Sequence, residues 1–126
     1  MRPSFMILLC GLTVLPLSAS RGQDAGASGE QAFNNSCRTC HTVKDGDNRA
    51  GPNLHNIIGR KAGSVANYRY SEAMKSSDIV WDEDRLLRFI EDPDALVSGN
   101  GMKPYTGVRS AEDRAGIVAF LKSPGK

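Results

Sequence analysis

The pentapeptide Cys37-Arg38-Thr39-Cys40-His41 constrains this chain more than any other stretch of it. Three chemistries use a CxxC pair. A thioredoxin-like redox pair needs a βαβ setting, and the sequence offers no strands for one. A structural zinc site needs four ligands. Besides the cysteines only His41 and His55 are at hand, and His41 directly follows Cys40, a strained spacing for one metal ion. The third chemistry is covalent attachment of a c-type haem, for which CxxCH is the specific signature. Each thiol adds to a haem vinyl group, and the adjacent histidine reaches the iron from one face. This reading leads. A plain disulfide or redox pair stays open behind it, with zinc last.

The rest of the chain asks for such a centre. Residues 41 to 70 read as a long irregular region, punctuated by Gly46, Gly51-Pro52, Gly59 and Gly63. A loop of that length in a compact domain is suspect unless something fills its middle. A chain of 126 residues allows one domain, and such a domain buries only about two-thirds of its unfolded surface. Aromatic content is low as well, at 6%. Around the irregular region the spacing predicts short helices. One runs from about Glu30 to Asn35, behind a flexible lead-in over residues 23 to 29. Another is capped by Ser71 and ends at Lys75. A third starts after Asp82 and ends at Glu91, with Leu86, Phe89 and Ile90 at i, i+3, i+4 and Pro93 as its stop. Residues 94 to 108 read as loop. The last helix is capped by Ser110, carries Glu112 and Asp113 in its first turn, and turns Ile117, Phe120 and Leu121 inward. The expected fold class is all-α, with short helices and long loops.

The first 22 residues read as a secretory signal peptide. Arg2 supplies the positive start, Phe5 to Leu17 the apolar run, and small residues follow at Ser18, Ala19 and Ser20. The run is short of the roughly 20 residues a membrane-spanning helix needs, so no membrane anchor is expected. Ala19, Ser20 and Gly22 are all candidate cleavage positions; the favoured cut, after Gly22, leaves Gln23 to Lys126 as the mature domain and removes Cys10. It also takes Arg2 and Arg21 from the 16 basic side chains, leaving them equal to the 14 acidic ones. That balance gives no reason to expect a nucleic-acid partner.

The far side of the iron decides what a His41-ligated haem can do. An open position permits ligand binding or peroxide reduction, whereas a filled one favours electron transfer. Met102 is the favoured occupant. It lies in the loop "NGMKPY", where Gly101 lets the backbone approach a flat group without a side-chain clash and Pro104 stiffens the exit. Met74, on the short helix after Ser71, reads as packing, and His55 as a polar loop residue.

With these features assembled, the mature chain resembles the class I cytochromes c, in their small, soluble, monohaem, mitochondrial-like bacterial branch. Gly29 and Phe33 ahead of CRTCH resemble the family's first helix, and "DRAGIVAFLK" its last; the two are expected to cross with Gly29 facing Ile117 and Phe120. "GPNLHNIIGRKAG" resembles the loop on the His41 side, where the resemblance implies that the Pro52 carbonyl accepts the His41 N–H. It further implies that Arg60, Tyr70 and Trp81 surround the haem propionates. "LLRFIEDP" resembles the lead into the methionine loop. The family's pattern is departed from at Phe89, where a tyrosine is common, and at Met74, Asn100 and Gly101. The implied function is that of a periplasmic one-electron carrier, not an enzyme. It would be monomeric, with one covalent haem c whose iron is held by His41 and Met102. Its partners would be redox proteins such as a bc-type complex, a terminal oxidase, a photosynthetic reaction centre or a dehydrogenase.

Overall fold

A computed structural model describes residues 21–124, with side chains from Ser28 onward. Residues 1–20 of the expected leader, Cys10 among them, lie outside the described residues. Five helices follow in order: α1 (Arg21–Ser36), α2 (Glu72–Lys75), α3 (Glu83–Glu91), α4 (Pro93–Leu96) and α5 (Ala111–Lys122). Among the described residues the only β pairing is an isolated antiparallel bridge between Lys61 and Val80.

Side-chain caps fix most of the helix starts. The Ser71 hydroxyl accepts the Met74 N–H, and Asp82 accepts the Arg85 N–H at 2.8 Å. The Ser110 hydroxyl accepts the Asp113 N–H. Each cap satisfies one of the donors that a helix N-terminus leaves unpaired, a gain of about 1 kcal/mol. Two expectations need correcting. Residues 23 to 29 are helical rather than a lead-in, so α1 is far longer than Glu30 to Asn35. Pro93 does not simply stop α3: Asp92 leaves the helical region, as a residue before proline should, and its carboxylate accepts the Ala95 N–H to start α4 with Pro93 at its head.

The core forms where α1, α3 and α5 meet. Phe33 of α1 lies against Phe120 of α5, ring centroids 5.1 Å apart. Ile117 is wholly buried, and Leu86, Phe89, Ile90, Val118 and Leu121 close around it. Burying a side chain of this size contributes roughly 1.5–3 kcal/mol. At the crossing of α1 and α5, a methyl group on Gly29 would sit 2.4 Å from the Gly116 carbonyl oxygen. The close approach expected at Gly29 is therefore made to the backbone of Gly116, one residue before Ile117. The long irregular region is tied back to this core through the backbone of the buried Trp81. Gly59 N–H donates to the Trp81 carbonyl, and Trp81 N–H to the Arg60 carbonyl.

Candidate haem site

The end of α1 runs directly into the CxxCH segment. Cys37 N–H still donates to the Phe33 carbonyl, and the Cys40 and His41 N–H groups both turn back to the Cys37 carbonyl. This tight turn presents Cys37, Cys40 and His41 to one cavity of about 270 Å³, close to the lower end of the roughly 300–1,000 Å³ range of ligand pockets. No disulfide joins the two cysteines. Burial, and then the neighbouring Cys40, push the Cys37 thiol up to about 11, so it is protonated at neutral pH. Among the described residues no three of His, Cys, Asp and Glu gather as a metal-binding cluster. With one isolated bridge in place of a sheet, the βαβ setting of a thioredoxin-like pair is missing too.

His41 is held in one orientation. Its Nδ1 lies 2.8 Å from the Pro52 carbonyl oxygen, and since a carbonyl only accepts, Nδ1 carries the proton and Nε2 is left with its lone pair. Burial keeps the imidazole below its ordinary pKa; the Pro52 hydrogen bond pulls the other way and the Arg60 charge adds to the depression. The neutral form that a metal needs is therefore the form at hand. Gly51 makes room for the ring, because a methyl group there would meet the imidazole at 2.3 to 2.8 Å. The loop that carries Pro52 is pinned to the CxxCH segment by Gly51 N–H to the Cys40 carbonyl and Leu54 N–H to the Thr42 carbonyl.

Met102 lines the same cavity, from the loop after α4, together with Met74, Leu86, Phe89, Ile90, Tyr105, Ile117 and Leu121. The core and the cavity thus share walls. Gly101, at φ +80, turns the chain in the left-handed region that a side chain would disfavour. Arg60, Tyr70 and Trp81 line the cavity as well. Arg60 spends two donors on the carbonyls of His55 and Asn53, and its remaining N–H groups are available to an anion. The Tyr70 hydroxyl accepts the Val65 N–H at 3.2 Å, and burial raises its pKa. Trp81 is 6% exposed and tilts against Phe89, centroids 4.9 Å apart. His55 stands outside this group, its Nδ1 directed at the Val43 carbonyl and its Nε2 at the Asn56 amide.

The structure gives partners to Asn53, which the sequence did not single out, and to Asn100, which stood out only as a departure from the family's pattern. Asn53 is buried, and the Asn48 carboxamide oxygen accepts both its backbone and side-chain N–H groups. Asn100 is also buried and accepts the Met102 N–H at 2.7 Å. Gly51 was visible only as part of a Gly-Pro turn. Nothing in local spacing marks the asparagines, although the side-chain partners of Asn53 and Asn100 lie only two to six residues away along the chain.

The residues present fit a covalently attached haem. Two thiols and a single-tautomer imidazole share one edge of a largely apolar cavity, a thioether sulfur belongs to the same cavity, and every charged residue lining it is basic, suiting two carboxylates. These features define a helical protein built around a haem held through CxxCH. The comparisons with known proteins agree. The cytochrome c family model matches residues 26–124. Cytochrome c of Gibberella zeae is 41% identical over 99 residues, covering 78% of this chain and 92% of the relative. Cytochrome c2 of Rhodomicrobium vannielii is 42% identical over 97 residues, 74% of each chain. Cytochrome cH from Methylobacterium extorquens superposes with a TM-score of 0.71 at 35% identity, covering 77% of this chain and 96% of that one. The chain belongs to the cytochrome c family, as a class I member. It is an electron carrier with covalent haem c as its cofactor, not an enzyme.

Proposed function

We propose that this chain is a soluble periplasmic one-electron shuttle in which His41 Nε2 and the Met102 sulfur would hold the haem iron. The observation that carries this is the shared cavity: His41, with Nδ1 committed to Pro52, and Met102 line it together with both cysteines. Haem c supplies the one-electron couple. The chain's own residues do the rest. Cys37 and Cys40 anchor the group by two thioether bonds. Pro52 holds His41 in the tautomer that presents Nε2. Arg60, Tyr70 and Trp81 surround the propionates, with Arg60 supplying positive charge. The apolar wall of Leu86, Phe89, Ile90 and Ile117 keeps water from the iron, and a thioether ligand raises the potential.

Residues 1–22 would direct export and be removed, leaving 23–126 as a monomeric carrier domain. No helix among the described residues is long and apolar enough to cross a membrane. The partners would be membrane or periplasmic redox proteins: a bc-type complex, a terminal oxidase, a reaction centre or a dehydrogenase. The test is the absorption spectrum of the oxidised holoprotein. A weak near-infrared sulfur-to-iron band is expected, and Met102→Ala should abolish it. High-spin iron in the untreated native protein would instead favour an open-position haem that binds small ligands or reduces peroxide.

A further inference from the structure

Met102 sits in a loop, and something must hold its backbone still for its sulfur to stay on target. The contacts lead to one carboxylate. Asp94, in the first turn of α4, accepts a hydrogen bond from Asn100 Nδ2 at 2.8 Å through Oδ1 and pairs through Oδ2 with the Lys103 ammonium. Asn100 and Lys103 flank the Gly101-Met102 dipeptide, so a single side chain grips both ends of the ligand segment. The Asn100 branch is the buried one: this residue is only 6% exposed. Its carboxamide orientation is unambiguous. Nδ2 faces two acceptors, the Asp94 carboxylate and the Val97 carbonyl, and Oδ1 faces the Met102 N–H at 2.7 Å. Both amide donors are committed and the oxygen is aimed at one backbone N–H. A carboxylate acceptor makes the first link a charge-assisted bond, stronger than a neutral one. Lys103 holds the carboxyl below the usual carboxylate range, so Asp94 is ionised at neutral pH.

The two branches differ in weight. The Lys103 pair is exposed on both sides, 57% and 52%, and such pairs are worth little. The route through Asn100 is short, buried at the Asn100 end and directed at the Met102 backbone. α4 is capped at its start by the Asp92 carboxylate, begins with the buried Pro93, and closes with the Val97 N–H on the Pro93 carbonyl. We propose that Asp94 is a positioning residue for Met102, acting through the Asn100 carboxamide to fix the backbone of the iron-ligand loop. The proposal rests on Met102 being the ligand.

The holoprotein tests it with Asp94→Ala, Asp94→Asn, Asn100→Ala, the double variant Asp94→Ala/Asn100→Ala, and Met102→Ala as reference. Three quantities are read: the near-infrared sulfur-to-iron band on heating, the rate at which added imidazole displaces the sulfur from ferric iron, and hydrogen exchange at the Met102 amide. Asp94→Ala should speed displacement about tenfold, the effect of losing one hydrogen bond to a charged group. It should also speed Met102 amide exchange and lose the band at a lower temperature than global unfolding. Asn100→Ala should match it, and the double variant should go little further, because the two residues act in series. Asp94→Asn keeps an oxygen for Asn100 and should recover most of the wild-type behaviour. Unchanged displacement and exchange in Asp94→Ala, or additive effects in the double variant, would overturn the proposal. If Met102→Ala loses the band while Asp94→Ala behaves as wild type, the positioning role alone fails. If Met102→Ala keeps the band, the ligand assignment fails and the positioning role with it.

Discussion

Tyr105 shows how one side chain joins the Met102 loop to the core. Its hydroxyl donates to the Ile90 carbonyl, which also accepts the Val108 N–H at 2.9 Å. Burial, and secondarily the Cys37 thiol, push the phenol up to about 12. Once Cys37 is a thioether its contribution vanishes and the larger effect of burial remains. In the unfolded chain the phenol ionises near pH 10. The native protein therefore keeps its proton over a window in which the unfolded chain has lost it. The stability this provides is complete below about pH 10 and is lost as pH rises towards the native value. Tyr105→Phe should cost about 1 kcal/mol at neutral pH for the missing hydrogen bond. Val108 still pairs with the Ile90 carbonyl, so that acceptor is not orphaned. The variant should also lose less stability between pH 9 and about pH 11; Tyr70, likewise raised by burial, leaves a residual slope. Denaturant unfolding of both holoproteins at several pH values checks this, and parallel profiles would refute it.

Among the helices, the crossing of α1 and α5 is the least forgiving contact. Gly29 lies where a methyl group would be 2.4 Å from a backbone carbonyl, and a backbone cannot swing aside as a side chain can. Gly29→Ala gains helix propensity but forces the helices apart, and overpacking of this kind costs about 1–3 kcal/mol. A lower thermal midpoint with an unchanged haem spectrum is the expected outcome; a midpoint at or above wild type would mean that the crossing is loose. This contact also explains what the sequence revealed of the helices. α3 and α5 were readable because cap, period and stop are local signals. The early turns of α1 were not, since Gly26, Ser28 and Gly29 lower local propensity and the compensating contact comes from the other end of the chain. α4 was missed because Pro93 was read only as a stop, although proline is also a good first residue of a helix. CRTCH and "NGMKPY" stood out as short motifs with their own chemistry, and those segments line the cavity. The pairs Asn48–Asn53 and Asp94–Asn100 have no period and no motif, so only the folded chain brings them into view.

At the scale of the whole molecule, charge is arranged locally rather than in sum. The charged residues lining the cavity are Arg60, Lys61, Arg69 and Lys103, all basic, which gives its mouth a positive field stronger than a formal net charge of +2 spread over the whole chain would give. Three of the four are partly spent. Arg60 serves two backbone carbonyls, Lys61 approaches Asp78 at 3.9 Å, and Lys103 pairs with Asp94. Arg69 is exposed and makes no ion pair among the described residues, so it should contribute most to steering. Two small oxidants of opposite charge, hexacyanoferrate(III) and a tris-phenanthroline cobalt(III) cation, read this field without needing a protein partner. With the anion, oxidation of the reduced protein should slow as salt is added, but gently, because two of the four cations are paired with nearby carboxylates. Arg69→Gln should lower the anion's rate severalfold at low salt, raise the cation's, and bring each close to wild type at roughly 1 M salt, where the screening length is about 3 Å. A steep salt dependence in the wild type, or no response to Arg69→Gln with either oxidant, would place the controlling charge elsewhere on the surface.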